Sequence, residues 1–150
     1  DEGTKRWVAN AVCNIMLGGP DAVAVFATEP VHDLLVHLGM RGKADDGREA
    51  IARAMCMAAR VEDPAKRAVL LTLPMHDVMC IMGDMATTDE ARCWTASALV
   101  STLRHEDTPW RFRCLDVLEK LAASTESDEA GEWVSRARLG LQAYLHVEAS

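Results

Sequence analysis

Aromatic residues are scarce in this chain: four Trp, two Phe and one Tyr, 5% of 150 residues. β-Sandwiches and barrels draw on aromatic and β-branched side chains, so the scarcity argues against an all-β fold. Basic residues are also short, with 16 Lys and Arg against 23 Asp and Glu and a net charge of -7. That balance argues against a protein whose main partner is a nucleic-acid backbone, although a local basic patch remains compatible with it. No apolar run approaches 18 residues, so no transmembrane helix is expected, and no signal-peptide pattern is visible. The five cysteines are odd in number and none has C-x-x-C spacing. They read as small buried hydrophobes in a reducing compartment, the cytoplasm or else the nucleus. G-x-S-x-G and H-E-x-x-H are missing, and Gly39, Gly42 and Lys43 lack the spacing of a phosphate loop. The first residue is Asp1, not Met, which raises the expectation of a piece of a longer chain.

What the chain does have is a stretch stated twice. Residues 28–39 read TEPVHDLLVHLG and residues 72–83 read TLPMHDVMCIMG, 44 positions apart. Thr28/Thr72, Pro30/Pro74, His32/His76, Asp33/Asp77 and Gly39/Gly83 recur in register. Val31, Leu34, Leu35 and Leu38 answer Met75, Val78, Met79 and Met82, each set spaced as one face of an α-helix. Thr suits a helix cap, Pro the first turn and Asp the positive end of the helix dipole. Hydrophobic residues make up 49% of the chain, enough for one domain with a core built mainly of Ala, Val, Leu and Met.

The remaining sequence falls into rounds around this motif. Helices are predicted over 4–18, 21–28 and 30–40, then from near Asp46 to a break at Glu62-Asp63-Pro64, which starts a short helix carrying Val69 and Leu70, then over 74–85 and 89–103, around Phe112–Leu121 and over 129–146. Val8, Ala11 and Cys13 map onto Ile51, Ala54 and Cys56 at an offset of 43. Trp94 follows Ile51 by 43. The segment from His105 to Pro109 echoes the one from Val61 to Pro64, and the third round lacks the T-x-P-x-H-D signature. A helical period of this length predicts stacked rounds, each of one long, one short and one medium helix.

This pattern resembles the armadillo repeat, in which three helices fill about 42 residues; the two-helix HEAT repeat is the near alternative. The resemblance spans almost the whole chain. It implies an all-α, right-handed superhelix (an α-solenoid) of about three repeats, and a non-enzymatic scaffold that binds a peptide or partner subunit on its concave face. In nuclear-import armadillo proteins the long helix presents a Trp and an Asn four residues on. Here those places hold Asn10 and Asn14, then Arg53 and Met57, then Ala96 and Val100. Only Asn14 keeps the pattern, so recognition of basic import signals is not expected. Arg53, Arg60 and Arg136 point instead to an acidic or phosphorylated partner. Trp7, on the first long helix, is expected at an end with packing on one side only, open to self-association or to further repeats.

Other residues bear on different chemistry. His32–Asp33 and His76–Asp77 have the residue types of acid–base or triad parts, but they recur in two repeats, as a helix start does and a catalytic constellation does not. His76 and Cys80, spaced i, i+4, are half of a metal site or of a Cys/His enzyme. An RNA-binding helical repeat would need a code at the groove positions, and Asn14/Met57/Val100 supplies none. Met75, Met79 and Met82 are expected in the core, Met57 on the groove.

Overall fold

A computed structural model describes residues 2–41, 45–103 and 110–149. Gly42, Lys43 and the segment from His105 to Pro109 lie outside the described residues, as do the side chains of Phe112 and Glu148. Among the described residues the chain forms nine α-helices and no strand. They are α1 (Glu2–Met16), α2 (Pro20–Val25), α3 (Glu29–Arg41), α4 (Asp45–Ala58), α5 (Pro64–Leu70), α6 (Leu73–Met85), α7 (Asp89–Leu103), α8 (Trp110–Ser124) and α9 (Asp128–Ala149). None is long and apolar enough to cross a membrane.

Local chemistry sets the breaks. Gly19 takes φ 128°, a left-handed conformation that a glycine adopts without strain, and Pro20 then opens α2. Asp63 caps α5 by accepting from the Ala65 N–H at 2.9 Å, with Pro64 in the first turn. Thr72 caps α6 by accepting from the Met75 N–H at 3.3 Å. The two motif copies open equivalent helices: α3 and α6 both run 13 residues, and the His32 and His76 N–H groups bond Thr28 and Thr72 carbonyls at 3.0 Å.

The helices form two rows. In one, α1 packs on α4, α4 on α7 and α7 on α9; in the other, α3 packs on α6 and α6 on α8. Met75, Met79 and Met82 are fully buried, as the spacing requires, together with Leu35, Met55, Leu99 and Leu118. Glycine fixes how closely the second row stacks. A Cβ on Gly39 would stand 2.2 Å from Val78 Cγ1, and one on Gly83 would stand 2.9 Å from Val117 Cγ1. The recurring glycine is therefore a place where α3 meets α6, and α6 meets α8, nearly backbone to side chain.

Two buried arginines join the rows. Arg48 donates to the Met85 carbonyl at 3.1 Å and Arg92 to the Ala86 carbonyl at 3.4 Å. Both neutralise carbonyls at the negative end of α6. Asp89 accepts from the N–H groups of Glu126 and Ser127 at 2.8 and 2.9 Å and from Arg92 at 3.0 Å, tying the start of α7 to the turn before α9.

Ala at a helix interior normally gains about 1 kcal/mol over Gly. At Gly39 the clash outweighs this, because Val78 is itself buried and overpacking costs about 1–3 kcal/mol. Gly39→Ala is expected to lower stability in urea unfolding, and Gly83→Ala to lower it less. A stabilised Gly39→Ala would show that α3 and α6 can separate freely.

Candidate interaction face

The long-helix row carries the residues singled out in the sequence. On α4, Glu49 and Arg53 are one turn apart, with 3.7 Å between carboxylate and guanidinium. The guanidinium carbon of Arg53 lies 4.9 Å from the ring centre of Trp94 on α7. That is cation–π range, and it spans the seam between two rounds. One turn on, Met57 is half-buried and its sulfur receives a weak contact from Arg60 at 3.8 Å. Cys56 and Ser97 meet across the same seam at 3.5 Å. Arg53, Met57 and Arg60 thus lie together, with Trp94 and Ser97 completing the patch.

The other residues lie farther along the row. Asn10 is half-buried and Asn14 exposed on α1. Arg136, on α9, is exposed and pairs with Glu132. Trp7 is 78% exposed. Between α7 and α9 lies a cavity of about 330 Å³ walled by Asp89, Glu90, Cys93, Glu129 and Trp133.

The register of the third round needs correction. Ala96 and Val100 were expected on this face; Val100 is half-buried, but Ala96 is fully buried, whereas Ser97 and Ser101 are half-buried like Arg53 and Met57. The spacing from α4 to α7 is therefore 44 residues, as in the His–Asp motif, and Arg48 and Arg92 keep it too. Sequence reading missed Trp94 as a face residue for the same reason. Carrying the motif's own offset into α7 would have found it.

A second polar constellation ties the rounds together. Assigned from its contacts, the His32 ring donates through Nδ1 to Asp33 at 2.9 Å and accepts at Nε2 from the Thr72 hydroxyl at 2.6 Å. This has the connectivity of a nucleophilic triad and borders a cavity of about 450 Å³. The exposures are reversed, however. Asp33 is 67% exposed while His32 is nearly buried, so the carboxylate is not held in a water-excluded site. Thr72 is also engaged as the cap of α6. The arrangement acts as a strut from α3 to the start of α6.

His76, the repeat counterpart of His32, is fully buried, with neither ring nitrogen bonded among the described residues. Burial pushes its pKa down from the usual 6.5, against an upward pull from Asp77. No group of three or more His, Cys, Asp or Glu among the described residues is placed to hold a metal ion, so His76 and Cys80 have no third ligand there. No protein-family model, curated protein or solved structure matches the chain.

The sign of the pH effect follows from this burial. Burial makes His76 harder to protonate in the fold than in the unfolded chain, which takes up the proton below about pH 6.5. Its contribution to stability is full above that pH and falls away below it. The urea midpoint should therefore drop between about pH 7.5 and pH 5.5, and His76→Leu should narrow the drop. Equal drops in the two proteins would remove His76 as the cause.

Proposed function

We propose that this chain is a non-enzymatic protein-interaction scaffold, an armadillo-like right-handed superhelix of about three repeats. In this reading the face of its long helices binds an extended, acidic or phosphorylated peptide. The two rows of stacked helices support the reading, because such stacking builds an extended surface and not an enclosed reaction pocket. The observation that carries it is Arg53 laid over Trp94 at the α4–α7 seam. A stacked guanidinium keeps its in-plane N–H donors at the edge, where a carboxylate or phosphate can take them two at a time. Glu49, at 3.7 Å, is beyond good hydrogen-bond length and can be displaced. Met57 and Arg60 extend the contact along the helix. The five cysteines are free thiols, which suits action in the cytoplasm.

Fluorescence anisotropy with labelled peptides of equal length tests this, using acidic, phosphoserine-containing, neutral and basic sets. Acidic or phosphorylated peptides should bind best. Arg53→Ala should weaken them about tenfold, or about 1.4 kcal/mol, while changing folding stability by about 1 kcal/mol or less. Unchanged affinity with Arg53 and Met57 both replaced would remove this face from the function. A preference for basic peptides would overturn the partner chemistry.

A further inference from the structure

Cys80 on α6 and Cys114 on α8 are both fully buried, and their sulfurs stand 3.4 Å apart. A disulfide needs about 2.0 Å, so closing the gap takes about 1.4 Å, within reach of side-chain rotation. The surroundings hold the two helices in this alignment. Arg113, next to Cys114, bonds Asp77 at 2.8 Å, and Asp77 lies one turn before Cys80. Gly83, the same three residues beyond Cys80 as Asp77 is before it, permits the close α6–α8 approach.

We propose that Cys80 and Cys114 form an oxidisable dithiol, a modification site that a small hydroperoxide converts to a disulfide joining α6 to α8. In the first step the Cys80 thiolate attacks the peroxide. An S–O bond forms, the O–O bond breaks, and the departing hydroxide or alkoxide takes a proton. In the second step the Cys114 sulfur attacks the Cys80 sulfenic acid. The S–S bond forms, the S–O bond breaks, and the oxygen leaves as water with the Cys114 proton. Two thiols and one hydroperoxide give one disulfide, one water and one alcohol (a second water when the oxidant is hydrogen peroxide). The sulfurs lose the two electrons that the O–O bond gains.

The roles of the two thiols follow from their surroundings. With Cys114 as donor, the hydrogen bond between the two sulfurs favours the Cys80 thiolate against the burial that opposes it; Arg113 adds to this, and Asp77 and Asp84 pull the other way. Cys114 is driven the other way by the same bond and by its burial. Burial raises the other three: Cys13 to about 12, and Cys56 and Cys93 upward as well. Cys80 is thus the one thiol favoured as the attacking group. Burial also selects the oxidant. Thiol–disulfide exchange needs room for a third sulfur in line with the other two, whereas hydrogen peroxide has two heavy atoms.

The test is peptide mapping of the wild-type protein after hydrogen peroxide, with thiols alkylated in denaturant and trypsin used without reductant. Trypsin separates the cysteines, leaving Cys80 in peptide 68–92, Cys114 in 114–120 and Cys93 in 93–104. The expected product is 68–92 linked to 114–120. The oxidised protein should also melt about 5–10 °C higher than the reduced one, as a cross-link closing a loop of this length allows. In Cys114→Ser the reaction should stop at a Cys80 sulfenic acid, which dimedone captures when the oxidised protein is unfolded in its presence. Recovery of Cys80 and Cys114 both alkylated, or linkage of either to Cys56 or Cys93 instead, would overturn the proposal. The mapping on wild-type protein decides the matter even if the serine variant fails to fold.

Discussion

The close approach of α3 to α6 at Gly39 is the constraint on which the rest of the structure depends. A side chain there would meet Val78 at 2.2 Å, so the backbone itself forms part of the contact. With the helices this near, His32 reaches the hydroxyl of Thr72 at 2.6 Å across 40 residues of chain. That contact fixes the residue that starts α6, so the last helix of one round positions the last helix of the next. The same arrangement returns at Gly83, where α6 meets α8 and brings Cys80 to Cys114. One missing side chain per round thus couples packing, helix capping and the sulfur pair.

Polar groups inside the stack are placed where helices already present charge. Burying an arginine is costly unless its donors are used. Arg48 and Arg92 spend donors on carbonyls at the C-terminal end of α6, which no intrahelical N–H satisfies. The two arginines come from α4 and α7, consecutive helices of the other row. A single helix end is therefore held from both rounds. Asp89 does the complementary work, accepting two backbone N–H groups of the α8–α9 turn. Those bonds hold its carboxyl below the usual range. The interior is thereby made specific as well as apolar, because moving either arginine by one turn would leave a buried charge without its acceptor.

Much of this was legible because the motif repeats its punctuation as well as its apolar spacing. Thr72, Pro74 and Asp63–Pro64 mark helix starts by local chemistry alone, and the helix bounds followed to within a few residues. The methionine stripe of α6 was legible because its i, i+3, i+4, i+7 spacing admits one buried face. The register of α7 was not. Its sequence around Ala96, Ser97 and Ala98 is so rich in small residues that a shift of one changes little in apolar count. The deciding signals were polar, namely Arg92 in the place of Arg48 and Ser97 beside Cys56. The Cys80–Cys114 meeting was out of reach for a related reason. The third round drops the T-x-P-x-H-D signature, so nothing in the sequence set α8 against α6, and a sulfur pair 34 residues apart had no repeat to predict it.

The first helix shows what such periodicity encodes and what it does not. Val8, Ala11 and Ile15 occupy the places that Ile51, Ala54 and Ala58 hold on α4. On α4 those places are 3%, 0% and 0% exposed, whereas Val8 and Ile15 are 46% and 51% exposed. The spacing is the same in both helices, and the difference is the number of neighbours: along the row α4 packs on both α1 and α7, whereas α1 packs on α4 alone. An apolar stripe therefore specifies a face that gains from being covered, about 25 cal/mol for each Å² removed from water, without specifying what covers it. In a stack, each helix offers two such faces, so its burial is decided by its neighbours more than by its own composition. The far end of the row is built the same way. Glu129, Glu132 and Arg136 stand exposed on α9 beside Trp133 and Leu139, which are 44% and 59% exposed. Each end of the row thus keeps apolar surface of the kind that a neighbour covers in the helices between.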